Sequence, residues 1–239
     1  FLSMLLPVFL LLLVSGRLDA PYRLPFALAL LIGCLALLFN GTRGAWLAVP
    51  IDALICVSVL VRDKKKIIVG ILVVAVVFGG IFALSPALSS RFATIGDVNM
   101  QSNSERFLLW TSAIHMFEDH PVLGIGYAGF KKEYQGKYML PEAKERDLGH
   151  AHSNVMQMLA ECGIIGLAAL LFFWWTCLSY GFLTWAAKQH IAALLFAAIL
   201  LGLILQGLTE YNMGNSAVMK LHWLLMGLCL QWLRLDHCI

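Results

Sequence analysis

The chain consists of long apolar runs separated by short charged or polar connections. Each of the six clearest runs approaches the length that an α-helix needs to cross a bilayer, which is about 20 residues. They are Pro25–Phe39, Ala45–Val61, Ile67–Leu84, Ile164–Trp185, Ile191–Leu208 and Val218–Leu233. In lipid, every backbone polar group must be bonded internally, so this pattern predicts an all-α transmembrane helix bundle.

A shorter apolar run, from Phe1 to Val14, precedes these six. It is too short to span a bilayer, and it lacks the charged start and cleavage site of a signal peptide. We therefore expect the chain to begin inside a membrane helix, as the C-terminal part of a longer protein. The bundle then has about six to seven spans, the first of them truncated.

The composition supports a membrane protein. Hydrophobic residues make up 60% of the chain and charged residues 13%, against about 45–50% and about 25% in soluble domains. The net charge of +3 is spread along the chain, and no basic stripe with interleaved aromatics is present, so no nucleic-acid partner is expected. The cysteines form no CxxC pair and are predicted to be free: Cys34, Cys56, Cys162, Cys177, Cys229 and Cys238.

The positive residues in the short connections indicate an orientation. The positive-inside rule assigns the side that carries most of them to the cytoplasm. That side holds Arg17, Arg23, Arg62, Lys64, Lys65, Lys66, Lys188 and Arg234. The opposite connections carry only Arg43 and Lys220 among the short loops, so they are predicted to lie outside.

One large outer loop follows the third span and covers about 65 residues, from Ser85 to Gly149. Loops of this length are usually functional or disordered, and here a helical pattern favours order. Ser102 and Glu105 fit a capping box at a helix start. The helix would then present an apolar face against the outer surface of the bundle. That face and the helix end are Phe107, Trp110, Ile114, Phe117 and His120-Pro121.

Two arginines on the outer side are candidate anion ligands. Arg43 lies in Gly41-Thr42-Arg43-Gly44, where one span turns into the next. It is interpreted either as a snorkelling interface arginine or as a bidentate phosphate ligand, with the glycines admitting a bulky phosphate. Arg106 is predicted in the first turn of the loop helix, where a cation gains nothing from the helix dipole. It is either a solvated surface arginine or part of an anion site.

His152 is the candidate general base. It precedes a helix on which Asn154, Gln157 and Glu161 form one polar stripe, predicted to face a wet outer cavity. Gly163-Ile164-Ile165-Gly166 then predicts close helix packing. Histidine exchanges protons near neutral pH, which suits a base at the top of this stripe.

Three other features leave alternatives open. His150 and His152 suggest zinc, but a catalytic zinc needs about three protein ligands and no such set is apparent. Glu210 could pair with Arg43, orient His152 or be a solvated loop carboxylate. Asp52, in the middle of a span, is paired, protonated or facing solvent within the bundle. No GxSxG, Walker, dinucleotide-binding or HExxH motif is present.

The histidine segment resembles a signature of the O-antigen ligase family. His152-Ser153, nine further residues and Gly163-x-x-Gly166 match its His-[Asn/Ser/Gln]-x9-Gly-x-x-Gly pattern. Thr42-Arg43-Gly44 is similar to the family's Ser/Thr-Arg-Gly segment. Arg106, Trp110 and the stretch from Pro121 to Gly126 resemble its periplasmic-loop pattern. The resemblance covers about Asn40 to Gly166.

The resemblance implies a metal-independent, inverting glycosyltransferase without cofactor in the bacterial inner membrane, with a periplasmic active site. The donor would be an undecaprenyl-diphosphate-linked glycan and the acceptor the lipid A core oligosaccharide or another glycan. The implied catalytic residues are His152 as base, with Arg43 and Arg106 as diphosphate ligands; Asn154, Gln157 and Glu210 are further candidate substrate contacts.

Alternative functions remain on the sequence alone. An O-antigen polymerase or protein O-oligosaccharyltransferase of the same family would differ in its acceptor, and a lipid-linked glycan transporter is less favoured, because the ionisable groups gather at one face. A structural or signalling membrane protein is a weaker alternative. The predicted organisation is residues 1–84 as N-terminal transmembrane helices, 85–150 as a periplasmic loop and 151–239 as C-terminal transmembrane helices.

Overall fold

The computed structural model describes residues 1–97 and 100–235, with Phe82 described by its backbone alone; Cys238 lies outside these ranges. All regular structure in these ranges is helical. The α-helices are α1 (Leu2–Val14), α2 (Ala20–Asn40), α3 (Arg43–Leu60), α4 (Lys64–Leu84), α5 (Pro86–Ala93), α6 (Gln101–Asp119), α7 (Phe130–Glu133), α8 (Asn154–Lys188), α9 (Ile191–Gly207) and α10 (Ser216–Leu235). A π-helical turn, Tyr134–Tyr138, follows α7, and a 3₁₀ turn, Asn212–Gly214, precedes α10.

Three of the described helices, α2, α3 and α8, are long and apolar enough to cross a membrane. The pair α4 and α5 adds a fourth span if the two count together, with a bend of 114° between them. Helices α1 and α9 are apolar but shorter. The all-helical class is therefore confirmed, and the described helices support three or four spans. The predicted count of six to seven is not confirmed.

Among the described residues, the first compact unit contains 1–95, 180–203 and 221–235. Its helix α9 is apolar on all sides, and its residues Ile191–Leu203 are almost entirely buried, as expected for a helix enclosed by others. Gly202 of α9 lies against the backbone of Ser3 and faces Asp52. Asp52 is fully buried, and its Oδ1 accepts a hydrogen bond from the Cys56 thiol at 3.3 Å. Of the alternatives for Asp52, exposure to solvent is thus excluded.

The second unit contains the described residues 96–97, 100–179 and 204–220. Helix α6 packs on α7, the π-helical turn and the N-terminal part of α8. This core consists of Leu109, Ala113, Met116, Phe130, Tyr134, Tyr138, Ala151 and Ala160. The large loop is therefore ordered around an apolar core of its own.

The start and the buried face of α6 differ from the prediction. The helix begins at Gln101 with Met100 as N-cap, so Ser102 lies inside the first turn and the predicted capping box is not formed. Glu105 is buried and accepts from the backbone amide of Lys144 at 2.9 Å. The buried face carries Leu109 and Met116, whereas the side chains of Phe107 and Ile114 are exposed. The Glu105 carboxylate thus binds the loop backbone at Lys144 instead of capping the helix, and the loop residues cover Leu109 and Met116.

Candidate active site

The site is built on a break in α8. Gly163 has φ 62° and ψ −160°, which interrupts the helix immediately before its apolar stretch. The segment Pro121–Gly126 lies against this break. The amide of Ile125 donates to the carbonyl of Ala160 at 2.9 Å, and the amide of Ile164 donates to the carbonyl of Pro121, also at 2.9 Å. The broken helix and the loop therefore satisfy each other's backbone groups, as buried backbone requires.

Glycine is required on both sides of this joint. A Cβ on Gly163 would lie 2.5 Å from the carbonyl oxygen of Val122, and one on Gly124 would lie 2.5 Å from the carbonyl oxygen of Glu161. Both residues also have positive φ, where L side chains are strained. The prediction that Gly163 permits close packing of helices was wrong, because its partner is the loop backbone rather than another helix.

The polar stripe of α8 is buried and does not face a wet cavity. Asn154, Gln157 and Glu161 are each at most 4% exposed. The Asn154 amide donates to Asn212 Oδ1 at 2.6 Å, and the Glu161 carboxylate accepts from the amide of Phe130 at 3.1 Å. The stripe therefore joins α8 to two different loops. Substrate contacts of Asn154 and Gln157 stay a prediction.

The turn that carries His152 is held from three sides. The amide of Ala151 donates to Gln157 Oε1 at 2.7 Å, and its carbonyl accepts from the Trp110 indole at 2.9 Å. The amide of His152 donates to Nδ1 of His150 at 3.3 Å. His152 has φ 48°, an uncommon value for a non-glycine residue that is maintained here by its surroundings.

Glu210 connects His152 with Arg106. Its Oε2 lies 3.2 Å from Nδ1 of His152, and its Oε1 pairs with Nη2 of Arg106. The three side chains are each between 26% and 29% exposed. Glu210 thus contacts His152, as one of the alternatives expected, and it also pairs with Arg106, which was not predicted. Arg106 lies in the second turn of α6, since the helix begins at Gln101, and not in the first turn as predicted.

The charges of this cluster favour an ionised Glu210 and a neutral His150. Burial raises the pKa of Glu210, but the hydrogen bond with His152 and the charge of Arg106 outweigh it, so the pKa lies below its ordinary value. Burial, with a contribution from His152, lowers the pKa of His150. A neutral His150 can accept the amide hydrogen bond from His152 through Nδ1.

Arg43 belongs to the first unit, where it is the first residue of α3. Its Nη1 donates to the carbonyl of Thr94 at 2.9 Å and to the Thr94 hydroxyl at 3.3 Å. Gly41, which ends α2 with φ 71°, lies against the guanidinium of Arg91. The face of Gly41 that was expected to admit a phosphate therefore meets a second arginine. Arg91 was not predicted; its sequence signal is a basic residue in the last turn of the short helix α5.

The described cysteines are free thiols: Cys34, Cys56, Cys162, Cys177 and Cys229. Within residues 1–97 and 100–235, no three His, Cys, Asp or Glu side chains are grouped so that they could hold a metal ion. His150 and His152 are instead in edge contact with each other, at 4.3 Å between ring centroids.

The comparison with known families gives a clear result. The profile of the O-antigen ligase family matches residues 27–171, more than half of the chain. The chain belongs to the O-antigen ligase family. The family indicates a multi-pass membrane protein of the glycosyltransferase type found in O-antigen ligases and polymerases. No curated protein shows significant sequence similarity to the chain.

The family match includes Arg43, Arg106 and His152 but ends before Glu210. Glu210 lies between α9 and α10, far along the chain from the histidine signature. The geometry of the second unit nevertheless brings Glu210, Arg106 and His152 into one cluster. A carboxylate outside the matched segment thus contacts two residues that the O-antigen ligase resemblance implies to be catalytic.

Proposed function

We propose that the chain is a metal-independent, inverting glycosyltransferase that moves a glycan from undecaprenyl diphosphate to a hydroxyl of a lipid A-core acceptor. The single observation that supports it best is the contact of one carboxylate, Glu210, with both His152 and Arg106. This contact supports the proposal because a histidine beside a cation suits the displacement of a diphosphate by an alcohol. The reaction is proposed to occur at the periplasmic face of the bacterial inner membrane, among six to seven spans and with residues 85–150 as the periplasmic loop.

His152 is the proposed general base. Because Nδ1 faces Glu210 at 3.2 Å, the carboxylate favours the tautomer with hydrogen on Nδ1 and leaves the lone pair on Nε2. Nε2 then accepts the proton of the acceptor hydroxyl as its oxygen attacks the anomeric carbon. Glu210 stabilises the imidazolium that forms, as the carboxylate does in other carboxylate–histidine pairs.

Arg106 is proposed to bind the leaving diphosphate. The contact with Glu210 engages Nη2, and a guanidinium has five N–H donors in all, so donors are available for phosphate oxygens. The bond between the anomeric carbon and the phosphate oxygen breaks, and its electron pair leaves with the diphosphate. Charge stabilisation of this kind is usually a large catalytic contribution. Attack and departure on opposite faces invert the anomeric centre.

Arg43 is proposed as a second phosphate ligand, and Asn154 and Gln157 as further substrate contacts. For Arg43 the support is the Thr-Arg-Gly resemblance together with the fork geometry of a guanidinium. For Asn154 and Gln157 the support is their position in the first turns after His152. Glu210 joins the substrate site through its contact with Arg106.

A reconstituted transfer assay tests the mechanism. His152→Ala and Arg43→Ala are expected to abolish transfer while expression and membrane insertion persist. The matched control is Glu142→Ala, which removes an exposed loop carboxylate and should transfer normally. Full transfer by His152→Ala would disprove the proposed base.

The acceptor is tested in cells that lack the full-length protein. A ligase predicts that lipid-linked polymer accumulates without attachment to the core. A core that carries one repeat unit would instead identify a polymerase, and loss of glycan from proteins with normal lipopolysaccharide would identify a protein O-oligosaccharyltransferase. Complementation with the full-length gene and its His152→Ala variant assigns the profile to the active site.

A further inference from the structure

An exposed apolar surface surrounds the joint between the loop and α8. Val122 and Leu123 are 55% and 70% exposed on the loop side, and Ile164 and Ile165 are 49% and 55% exposed on the helix side. We call these four side chains the joint patch. Exposed aliphatic groups that lie together mark a surface covered by another apolar phase more often than single exposed ones do.

The two halves of the joint patch lie at the same level of α8. The amide of Ile164 donates to the carbonyl of Pro121 at 2.9 Å, and the amide of Ile165 approaches the carbonyl of Val122 at 3.4 Å. These backbone contacts hold the loop tip beside the first residues after the helix break. Val122 and Leu123 therefore extend the surface of the helix sideways at that level.

The helix side of the joint patch begins the apolar stretch of a candidate span. Glu161 is the last ionisable residue of α8 before Cys162 and Gly163, and the next charged residue is Lys188. Along this stretch the side chains of Phe172 and Trp175 are 72% exposed, as expected for a helix that faces lipid. The joint patch is continuous with this face through Ile164 and Ile165.

The loop side has the composition of a membrane-embedded turn. Residues 121–130 include no Asp, Glu, Lys or Arg, whereas charged residues are frequent on either side. Tyr127, just after the joint, is 85% exposed. Tyrosine is enriched where protein crosses from the acyl chains to the headgroups. The lipid-exposed amides that such a turn must avoid are partly engaged here, because Ile125 and Gly126 donate to carbonyls of α8.

We propose that the turn from Pro121 to Tyr127 is inserted in the bilayer leaflet at the N-terminal end of α8, so that Val122 and Leu123 contact phospholipid acyl chains. The turn anchors the second unit to the membrane at one depth. His152 precedes α8, and the helical residues 154–162 before the break at Gly163 rise by about 1.5 Å each, or roughly 12 Å in all. The anchor thereby fixes the height of His152 above the acyl chains, and it does not depend on the glycosyl transfer proposed above.

Site-directed spin labelling of the full chain in lipid nanodiscs tests this. Leu123→Cys is labelled with a nitroxide in a background without native cysteines, and its collision rates with oxygen and with a water-soluble nickel chelate are compared. Oxygen concentrates among acyl chains and the chelate in water. Phe172→Cys, on the exposed face of α8, is the lipid control, and Glu142→Cys, on the exposed loop, is the water control.

The oxygen-to-nickel collision ratio of the label at position 123 is expected to be close to that at position 172 and well above that at position 142. Val122→Cys should behave in the same way, which guards against a local effect of one label. A nickel-favoured ratio at both positions would overturn the proposal and place the turn in water. Low collision rates with both reagents would also overturn it, because the patch would then be covered by protein, such as a second copy of the chain.

Discussion

Glu210 Oε2 lies 3.2 Å from Nδ1 of His152, on the side of the imidazole opposite Nε2. The two residues are 58 positions apart in the sequence, and both belong to the second unit. The contact gives His152, the proposed base, a carboxylate partner at Nδ1. Five expected outcomes follow from this contact and from the turn and the helix break beside it.

Replacement of Glu210 by glutamine should remove the carboxylate that contacts His152 and keep a side chain of similar size. The amide can donate to Nδ1 and so favours hydrogen on Nε2, the wrong tautomer for proton abstraction. We expect kcat for glycan transfer to fall by about 10²- to 10⁴-fold, with a smaller change in the donor KM. Glu142→Gln is the matched control on an exposed site. Wild-type turnover by Glu210→Gln would show that Glu210 does not orient the base.

Replacement of Arg106 should affect both leaving-group binding and the ionisation of Glu210. Arg106→Ala removes a phosphate donor, and a loss of about 10²- to 10³-fold in kcat is expected if it acts like other charge-stabilising donors. It also removes a charge that lowers the pKa of Glu210, so the acid limb of the pH–rate profile should move to higher pH.

The matched variant Arg106→Lys separates these two effects. It keeps a positive charge but loses the planar fork, so the acid limb should stay near its wild-type position while kcat still falls. An acid limb that is identical in wild type and Arg106→Ala would contradict the electrostatic contact with Glu210.

His150 should be replaceable by asparagine but not by alanine. Its Nδ1 accepts the amide of the residue two positions ahead, which an asparagine side chain also does in Asx-turns. We expect His150→Asn to retain most transfer activity and His150→Ala to lose it, since His152 then lacks the contact that holds its positive φ. If both variants were equally active, the contact would have no positioning role.

The thermal stability of wild type and of His150→Asn should depend differently on pH. Because the pKa of His150 is lowered in the folded protein, the unfolded chain binds more protons than the folded one just below the ordinary histidine pKa. This contribution to stability is complete above that ordinary pKa, about 6.5, and is lost as the pH falls toward the lowered value. Thermal unfolding at pH 7.5 and pH 5.5 should therefore show a smaller pH-dependent loss of Tm in His150→Asn than in wild type.

Substitution of Gly163 by alanine should open the joint in α8. The new Cβ would lie 2.5 Å from the Val122 carbonyl oxygen on a backbone with φ 62°. A destabilisation of more than about 1 kcal/mol is expected, because neither the backbone angle nor the contact tolerates a side chain. Gly136→Ala is the matched control, since a Cβ there meets nothing within 4 Å. Equal Tm values for the two variants would contradict the joint.

Much of the fold class could be predicted from composition and apolar periodicity, because lipid admits so few backbone arrangements. The bounds were less predictable. The polar stripe was predicted to be helical and is part of α8, but the loops that accept and donate its hydrogen bonds were not predicted. The predicted apolar face of α6 was wrong because the loop folds over Leu109 and Met116, leaving Phe107 exposed.

In the site, the candidate residues could be predicted, whereas most of their contacts could not. His152 and Arg106 were predicted as candidates, and the family match includes both. A contact of Glu210 with His152 was one of several alternatives, and its pairing with Arg106 was not predicted, because a pairing across 104 residues depends on tertiary folding and leaves no periodic signal. The joint at Gly163 was missed for a related reason. A glycine that permits two helices to pack and one that admits a loop backbone look the same in a sequence.

The interlocking of the loop tip with the interrupted helix has a practical consequence for engineering. The bonds across it run between main-chain amides and carbonyls, so the length of the segment and its glycines matter more than the identities of residues 122, 123 and 125. A single insertion between Pro121 and Gly126 should therefore separate this segment from α8, whereas substitutions at residues 122, 123 and 125 should leave the backbone bonds in place.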